Sequence, residues 1–272
     1  MTRLVACQMV SSANVAENLA TLTQQLAEMK SEQPTLVVLP ECFACFGGSD
    51  KQLLNMAEQK NNGKLQTELC NIAQSNGVWL ATGTIPLLCN DPQKFTASCL
   101  LIDDFGEVRE EYQKIHLFDV QVNDNTKIYK ESLYTQPGNQ VVTVQTPLGK
   151  IGMAVCYDIR FSGLFNAMED VDILILPSAF TEKTGKAHWH NLLAARAIEK
   201  QCYLVAANQG GIHGNGRQTY GHSCIISPWG EKLAEIEKGS GWISAELDMQ
   251  LIENIRKTMP IAQHNKFRSH FV

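Results

Sequence analysis

Gly152-Met153-Ala154-Val155-Cys156-Tyr157-Asp158 joins a strand pattern to three reactive side chains. It completes an apolar run over residues 150–155, and a short apolar run bounded by turn signals reads as a buried strand. The run stops at a thiol, an aromatic ring and a carboxylate. Two other segments stop in the same way. Leu36-Val37-Val38-Leu39 ends in Pro40-Glu41, and Tyr112-Gln113 leads into Lys114-Ile115-His116. In α/β proteins the residues just past strand C-termini line the cleft where ligands bind. A carboxylate, an ammonium and a thiol are therefore predicted to converge on one point.

Outward from these segments, strand and helix patterns alternate along the chain. Residues 2–8 read as a strand. Residues 14–30 place Val15, Leu19, Leu22, Leu26 and Met29 on one stripe of a helix, with Asn14 and Glu17 as a capping pair. Strands follow at 35–39 and 78–84, with a helix at 64–76 between them. Residues 97–103 and 107–113 flank Asp104-Phe105-Gly106, a hairpin signal. The pattern repeats at 141–145 and 150–155, around Thr146-Pro147-Leu148-Gly149. A strand at 172–176, a helix at 187–201 and a strand at 202–208 come next. A late hairpin, 222–227 and 231–236, turns at Pro228-Trp229-Gly230, and a strand at 242–247 follows. Ten or more strands exceed what one open sheet usually holds. The expected architecture is an α/β single domain over residues 1–258, two packed sheets with helices outside in an α-β-β-α order. Residues 259–272 are polar and aperiodic, and read as a tail that docks on a partner subunit.

Composition narrows the function. The charge is −5, from 23 basic and 28 acidic residues, and no basic block appears, which argues against nucleic acid or an anionic membrane as partner. No run approaches the roughly 20 apolar residues of a membrane span, and the N-terminus reads as a strand, not a signal peptide. Nine cysteines lie without framework spacing, several (Cys7, Cys99, Cys202, Cys224) inside apolar segments. That usage suits reduced thiols, and the expected address is the cytoplasm.

The three strand-end residues form a workable acyl-transfer set. A thiol needs a base to become a thiolate, and a desolvated carboxylate serves. A lysine ammonium stabilises an oxyanion beside a backbone N–H just after the nucleophile. Other readings stand next to this one. Cys42-Phe43-Ala44-Cys45 is a C-x-x-C, the pattern of thiol–disulfide redox proteins, although Gly47-Gly48 follow where a helix should open. His116 or His222 offers a Cys–His base. His188 and His190 stand two apart on a helix and face different sides, so they make a poor metal pair. Gly214-Asn215-Gly216 is too slight for a phosphate loop, and neither metal nor cofactor is expected. Arg160, four residues after the thiol, suits a substrate carboxylate or an ion pair with a neighbouring acid. Arg196 and Glu199, one helical turn apart, read as a structural pair.

Glu41 in Leu39-Pro40-Glu41-Cys42-Phe43, Lys114 in Gln113-Lys114-Ile115-His116-Leu117-Phe118, and Cys156 in Val155-Cys156-Tyr157-Asp158-Ile159-Arg160-Phe161 resemble the three signature segments of the nitrilase superfamily. Order and separation match as well, and the likeness runs from the first strand to about Pro260. Leu176-Pro177-Ser178-Ala179-Phe180, Ala187-His188-Trp189, Arg196-Ala197-Ile198-Glu199, Tyr220-Gly221-His222-Ser223 and Pro228-Trp229-Gly230 resemble most the Nit branch, and within it the deaminated glutathione amidases. The resemblance implies a four-layer α-β-β-α sandwich that assembles as a homodimer or higher oligomer. It also implies hydrolysis of a small linear amide through a cysteine thioester. The substrate it implies is deaminated glutathione, with ω-amidases acting on α-ketoglutaramate nearly as similar. Carried over, Cys156 is the nucleophile and Glu41 the general base. Lys114 and the Tyr157 backbone N–H hold the oxyanion, and Glu131, in Lys130-Glu131-Ser132, positions Lys114. Arg160 and Phe180 are expected to touch substrate, and the loops 118–129 and 180–186 to shape the pocket.

Overall fold

Along β1 (Thr2–Gln8) Leu4 and Ala6 alternate with Val5 and Cys7, and because strand side chains have a period of two, each pair lies on its own face. With Leu36 and Val38 of β2 (Thr35–Val38), Leu4 and Ala6 belong to the core between two sheets. Val5, Cys7 and Val37 belong to a second core. It is closed by Leu22 and Leu26 of α1 (Val15–Glu28) and, beyond the short α2 (Asp50–Asn55), by Leu65 and Leu69 of α3 (Lys64–Asn76). Each fully buried Leu, Val or Phe contributes about 1.5–3 kcal/mol, so this alternation fixes the register strongly. The computed structural model describes residues 2–29, 32–124 and 126–272. The expected helix end at Lys30 lies outside them.

The first sheet continues with β3 (Trp79–Ala81), β4 (Ile85–Leu88), β5 (Phe95–Ile102) and β6 (Val108–Gln113). A separate ribbon, β7 (Asp119–Gln121) with β8 (Ile128–Lys130), interrupts the chain before the two-residue β9 (Thr135–Gln136). The second sheet is built from β10 (Val142–Thr146), β11 (Gly149–Met153), β12 (Ile173–Ser178), β13 (Tyr203–Asn208), β14 (Ser223–Ile226) and β15 (Lys232–Ile236), paired in that order. Between its strands lie α4 (Ser162–Ala167) and α5 (Glu182–Lys200), and Trp189, Leu193 and Ala197 of α5 are buried in the same core. β16 (Gly241–Leu247) returns to the first sheet, antiparallel to β1, giving the order β16-β1-β2-β3-β5-β4 with β6 and β9 also on β5. β1 and β2 face β12, β13 and β14 across the interior. The result is the expected layering of helices, sheet, sheet and helices.

Three local differences have physical reasons. The helix expected from residue 187 starts at Glu182, because the Thr181 side chain accepts from the Thr184 N–H and caps it. Most of the loop expected at 180–186 is therefore its first turn, and the polar run Glu182-Lys183-Thr184 carries no periodic signal. The strand expected at 78–84 ends as β3 at Ala81, because left-handed backbone at Gly83, φ +67°, breaks the ladder before β4 resumes it in the same direction against β5. Past β16 the chain forms α6 (Met249–Thr258), seated by Ile252 and Ile255 and by an Arg256–Asp172 ion pair of 3.0 Å, then α7 (Ile261–His264).

Candidate active site

Topology brings the three strand ends to one edge. β2 is parallel to β3, β3 antiparallel to β5, and β5 antiparallel to β6, so β2 and β6 run the same way. Glu41 follows β2 and Lys114 follows β6. In the facing sheet β11 and β12 are parallel, and Cys156 and Ala179 follow their C-terminal ends. Close backbone approaches hold these ends. The Leu39 N–H donates to the Ala81 carbonyl at 3.0 Å, and a Cβ on Gly83 would fall 2.0 Å from the Pro40 oxygen. The Gln209 amide donates to the Glu41 carbonyl at 3.1 Å.

The Lys114 ammonium, only 2 % exposed, donates to Glu41 Oε1 at 2.7 Å and to Glu131 Oε2 and Oε1 at 2.8 and 3.0 Å. All three of its hydrogens face carboxylates. Burial alone would lower its pKa, but the Glu131 and Glu41 charges outweigh that and raise it well above the ordinary lysine value. Glu131 lies on a 3-10 turn (Glu131–Leu133) and also accepts the Phe118 N–H at 2.7 Å. Burial, and after it the Glu41 charge, raises its own pKa against the pull of Lys114.

Cys156 opens a 3-10 turn (Cys156–Arg160) in left-handed backbone, φ +46°. That conformation is uncommon for any residue with a Cβ and costs about 1–3 kcal/mol, and such strain clusters at functional sites. Burial pushes the thiol well above its usual range, and the Glu41 carboxylate beside it pushes the same way. The Lys114 charge and the Ala179 N–H pull it down. A thiol, a carboxyl group and an ammonium thus meet at one point of the fold.

Asp158, fully buried, ties the thiol's turn to the lysine's strand end. Its Oδ2 accepts the Val155 N–H at 2.9 Å and the Tyr112 hydroxyl at 2.7 Å. Its Oδ1 accepts the His116 N–H at 3.0 Å and meets His116 Nδ1 at 2.7 Å. Sequence reasoning missed this role. The available signal was a carboxylate two residues past a reactive thiol, at the end of a buried strand. Arg196 adds a second tether: its Nε donates to the Ile159 carbonyl at 3.1 Å, and its Nη1 pairs with Glu199 at 2.6 Å, as the helical spacing predicts.

A cavity of about 460 Å3 opens above these groups, with Glu41, Lys114, Glu131, Cys156, Arg160 and Phe180 in its wall. Tyr157 lines it too. Arg160 meets no acid among the described residues. Its Nη1 lies 3.2 Å from His188 Nδ1, and its guanidinium lies over the rings of Phe180 at 5.2 Å and Tyr157 at 5.8 Å. The ion-pair reading of Arg160 is thus not realised.

The competing constellations come apart. His116 is held by Asp158 and stacks on Phe161 at 3.8 Å, and His222 Nδ1 pairs with Glu235 at 3.0 Å, so neither ring pairs with Cys156. His190 does find histidine company, in His222 and not His188. His190, His222 and Glu235 place ligand-capable atoms within 4.8 Å of one another. Glu235 is already hydrogen-bonded to both rings and ion-paired with Lys232, so charge pairing accounts for the cluster. Cys42 and Cys45 are separate free thiols. Burial, reinforced by Glu41, drives the Cys42 thiol far up, the opposite of the low pKa that disulfide exchange needs.

Residues 3–257 match the carbon–nitrogen hydrolase family model. The chain belongs to the carbon–nitrogen hydrolase family. Within it, the chain is 40% identical over 268 residues to a deaminated glutathione amidase of Yersinia enterocolitica, covering 97% of this chain and 93% of that one. It is 37% identical over 269 residues to the human deaminated glutathione amidase, covering 97% and 82%. Among solved structures, Nit3 of Saccharomyces cerevisiae, a member of branch 10 of the nitrilase superfamily, superimposes with a TM-score of 0.85 at 30% identity over 98% of this chain and 97% of that one. This hydrolase is an amidase of the nitrilase superfamily, as the three signature segments implied, and the redox alternative is not favoured. Among the described residues no helix is long and apolar enough to cross a membrane.

Proposed function

We propose that this hydrolase cleaves the amide of deaminated glutathione through a thioester on Cys156. The observation that carries the reading is the contact set of Glu41, Lys114 and Cys156 at the floor of one cavity. The relatives' activity supports the substrate. As Sγ attacks the amide carbon, Glu41 takes the thiol proton and the carbonyl oxygen becomes an oxyanion. Protonation makes Glu41 a weaker acceptor, so the Lys114 N–H that it held turns to the oxyanion, next to the Tyr157 backbone N–H. Negative charge thus moves from one partner of Lys114 to another without leaving it, which is electrostatic preorganisation. Glu131 keeps the ammonium in place meanwhile. The intermediate collapses, the C–N bond breaks, and Glu41 returns the proton to the departing amine. Glu41 next takes a proton from water, the hydroxide adds to the thioester, the C–S bond breaks, and Glu41 returns that proton to sulfur, which gives a carboxylic acid and the free thiol. Arg160 and Phe180 contact the bound substrate.

Cys156→Ala and Glu41→Gln, assayed on deaminated glutathione and a panel of ω-amides that includes α-ketoglutaramate, test this reading. Loss of the base is expected to cost roughly 10²–10⁴-fold in kcat, and loss of the thiol to abolish the thioester mass. Full turnover by both variants sinks the mechanism. A preference for α-ketoglutaramate over deaminated glutathione moves the substrate to the ω-amidase class.

The nine free cysteines, several on core strands, support a reducing compartment, and we place the enzyme in the cytoplasm. We also propose a homodimer or higher oligomer, with residues 259–272 as a tail outside the 1–258 domain. The exposed rings of Phe267 and Phe271 suit docking on a partner subunit.

A further inference from the structure

Seven arginines occur in the chain. Arg109, Arg196 and Arg256 pair with acids, and Arg3 and Arg268 donate to main-chain carbonyls. Arg160 and Arg217 do neither among the described residues, and both line the catalytic cavity. A guanidinium carries five donors in a planar fork suited to a carboxylate. Leaving that fork without an oxygen acceptor in a half-buried wall marks it as held for something that enters.

Arg217 is held firmly. Its guanidinium lies 4.6 Å from the centre of the Phe46 ring and 5.1 Å from that of Tyr129. Its backbone N–H donates to Asn215 Oδ1 at 3.1 Å, and its carbonyl accepts the His213 N–H at 2.9 Å. Two aromatic faces fix the plane of the fork but satisfy none of its in-plane N–H groups. Its wall is built from the loop around Phe46, Tyr129 of β8 and the segment between β13 and β14. Arg160 stands in a different wall, on the turn of the nucleophile itself.

We propose that Arg217 is the specificity residue for the leaving amine: it binds a carboxylate at that amine's far end, while Arg160 takes the carboxylate of the acyl part. The assignment deepens the reading above and rests on it. Deaminated glutathione is a dianion whose scissile carbonyl lies between two carboxylates. The acyl arm ends in a keto acid three carbons beyond that carbonyl, a reach that suits the arginine on the Cys156 turn. The amine arm is a dipeptide, about 7 Å when extended, and its carboxylate must be met by another wall. Among the described residues the cavity carries one further guanidinium without an oxygen acceptor, and it is Arg217. Glu41 and Glu131 are both engaged by Lys114, so they do not compete for it.

The test compares deaminated glutathione with the analogue in which the terminal glycine carboxylate is a carboxamide, the acyl group being identical. The wild type is expected to favour the carboxylate by roughly 10–100-fold in kcat/KM, expressed in KM, because this contact is made equally in ground and transition states. In Arg217→Met, which keeps a long unbranched side chain without the charged fork, that ratio is expected to collapse toward one. Arg217→Lys, with its charge retained, is expected to recover part of it. A wild type that does not distinguish the two amides, or an Arg217→Met enzyme that keeps the full preference, overturns the assignment and leaves the amidase reading intact. A wild type that turns over neither amide while hydrolysing other ω-amides instead overturns the substrate reading itself.

Discussion

Asp158→Asn exchanges one carboxylate oxygen for an NH2 at the junction between the turn that carries Cys156 and the strand end that carries Lys114. The wild-type carboxylate has four partners, two on each oxygen. If the amide nitrogen takes the Oδ1 side, His116 Nδ1 is able to switch tautomer and accept, but the His116 backbone N–H is left facing another donor. If it takes the Oδ2 side, the Tyr112 hydroxyl is able to rotate and accept, but the Val155 N–H is stranded. Either way one backbone N–H, buried at Val155 or half-buried at His116, loses its acceptor, about 1–3 kcal/mol. The bonds that remain lose their charge assistance, about 1–2 kcal/mol more. The sum, about 2–5 kcal/mol, is a large part of the 5–15 kcal/mol that keeps a typical domain folded. Urea unfolding of the two proteins measures it. Because Asp158 acts through the placement of Cys156 and Lys114, kcat is also expected to fall, by roughly 10²-fold for a shift near 1 Å, with KM much less affected. An Asp158→Asn protein within about 0.5 kcal/mol of wild type and with undiminished kcat would refute the claim that this carboxylate joins the two halves of the site.

Three further outcomes follow from the same contacts. Gly83→Ala places a Cβ 2.0 Å from the Pro40 carbonyl at a φ of +67°, so a loss of at least about 2 kcal/mol is expected; thermal melts beside kcat check it, and an unchanged melting temperature contradicts the close approach. Glu235 is held at about 2, against an ordinary 4.5, by Lys232, His190 and His222, which outweigh the cost of burial. A depressed carboxylate adds stability above its unfolded pKa that is lost as pH falls toward the folded value. The wild type should therefore lose between pH 4.5 and about 2 a component of stability that Glu235→Gln lacks, and parallel acid titrations of the two rule it out. Removal of residues 259–272 is expected to lower the assembly mass seen by light scattering, and an unchanged mass argues against tail docking.

The amino-acid sequence already carried the layered α/β architecture and the three strand ends. Strand alternation and helical stripes are local patterns, and an apolar run that stops at Glu, Lys or Cys is legible within a few residues. It did not mark β4, α6 or the first turn of α5. The last of these is set by a cap and a polar turn with no period. Glu131 was named only through family likeness, since its short turn has no local signature, and its contact with Lys114 is a matter of folding. The partnering of Lys114 with Glu41, 73 residues apart, and of Gln209 with Glu41, 168 residues apart, exists only once the sheets and their loops are packed. The same packing decided which charges were neutralised. It gave Glu235 two histidines and a lysine, gave Asp158 four donors, and among the described residues left the guanidiniums of Arg160 and Arg217 without an acid in the wall of one cavity. Ionic pairing is decided over a few ångströms between residues remote in the chain, so only the tertiary structure told the paired charges from the unpaired ones.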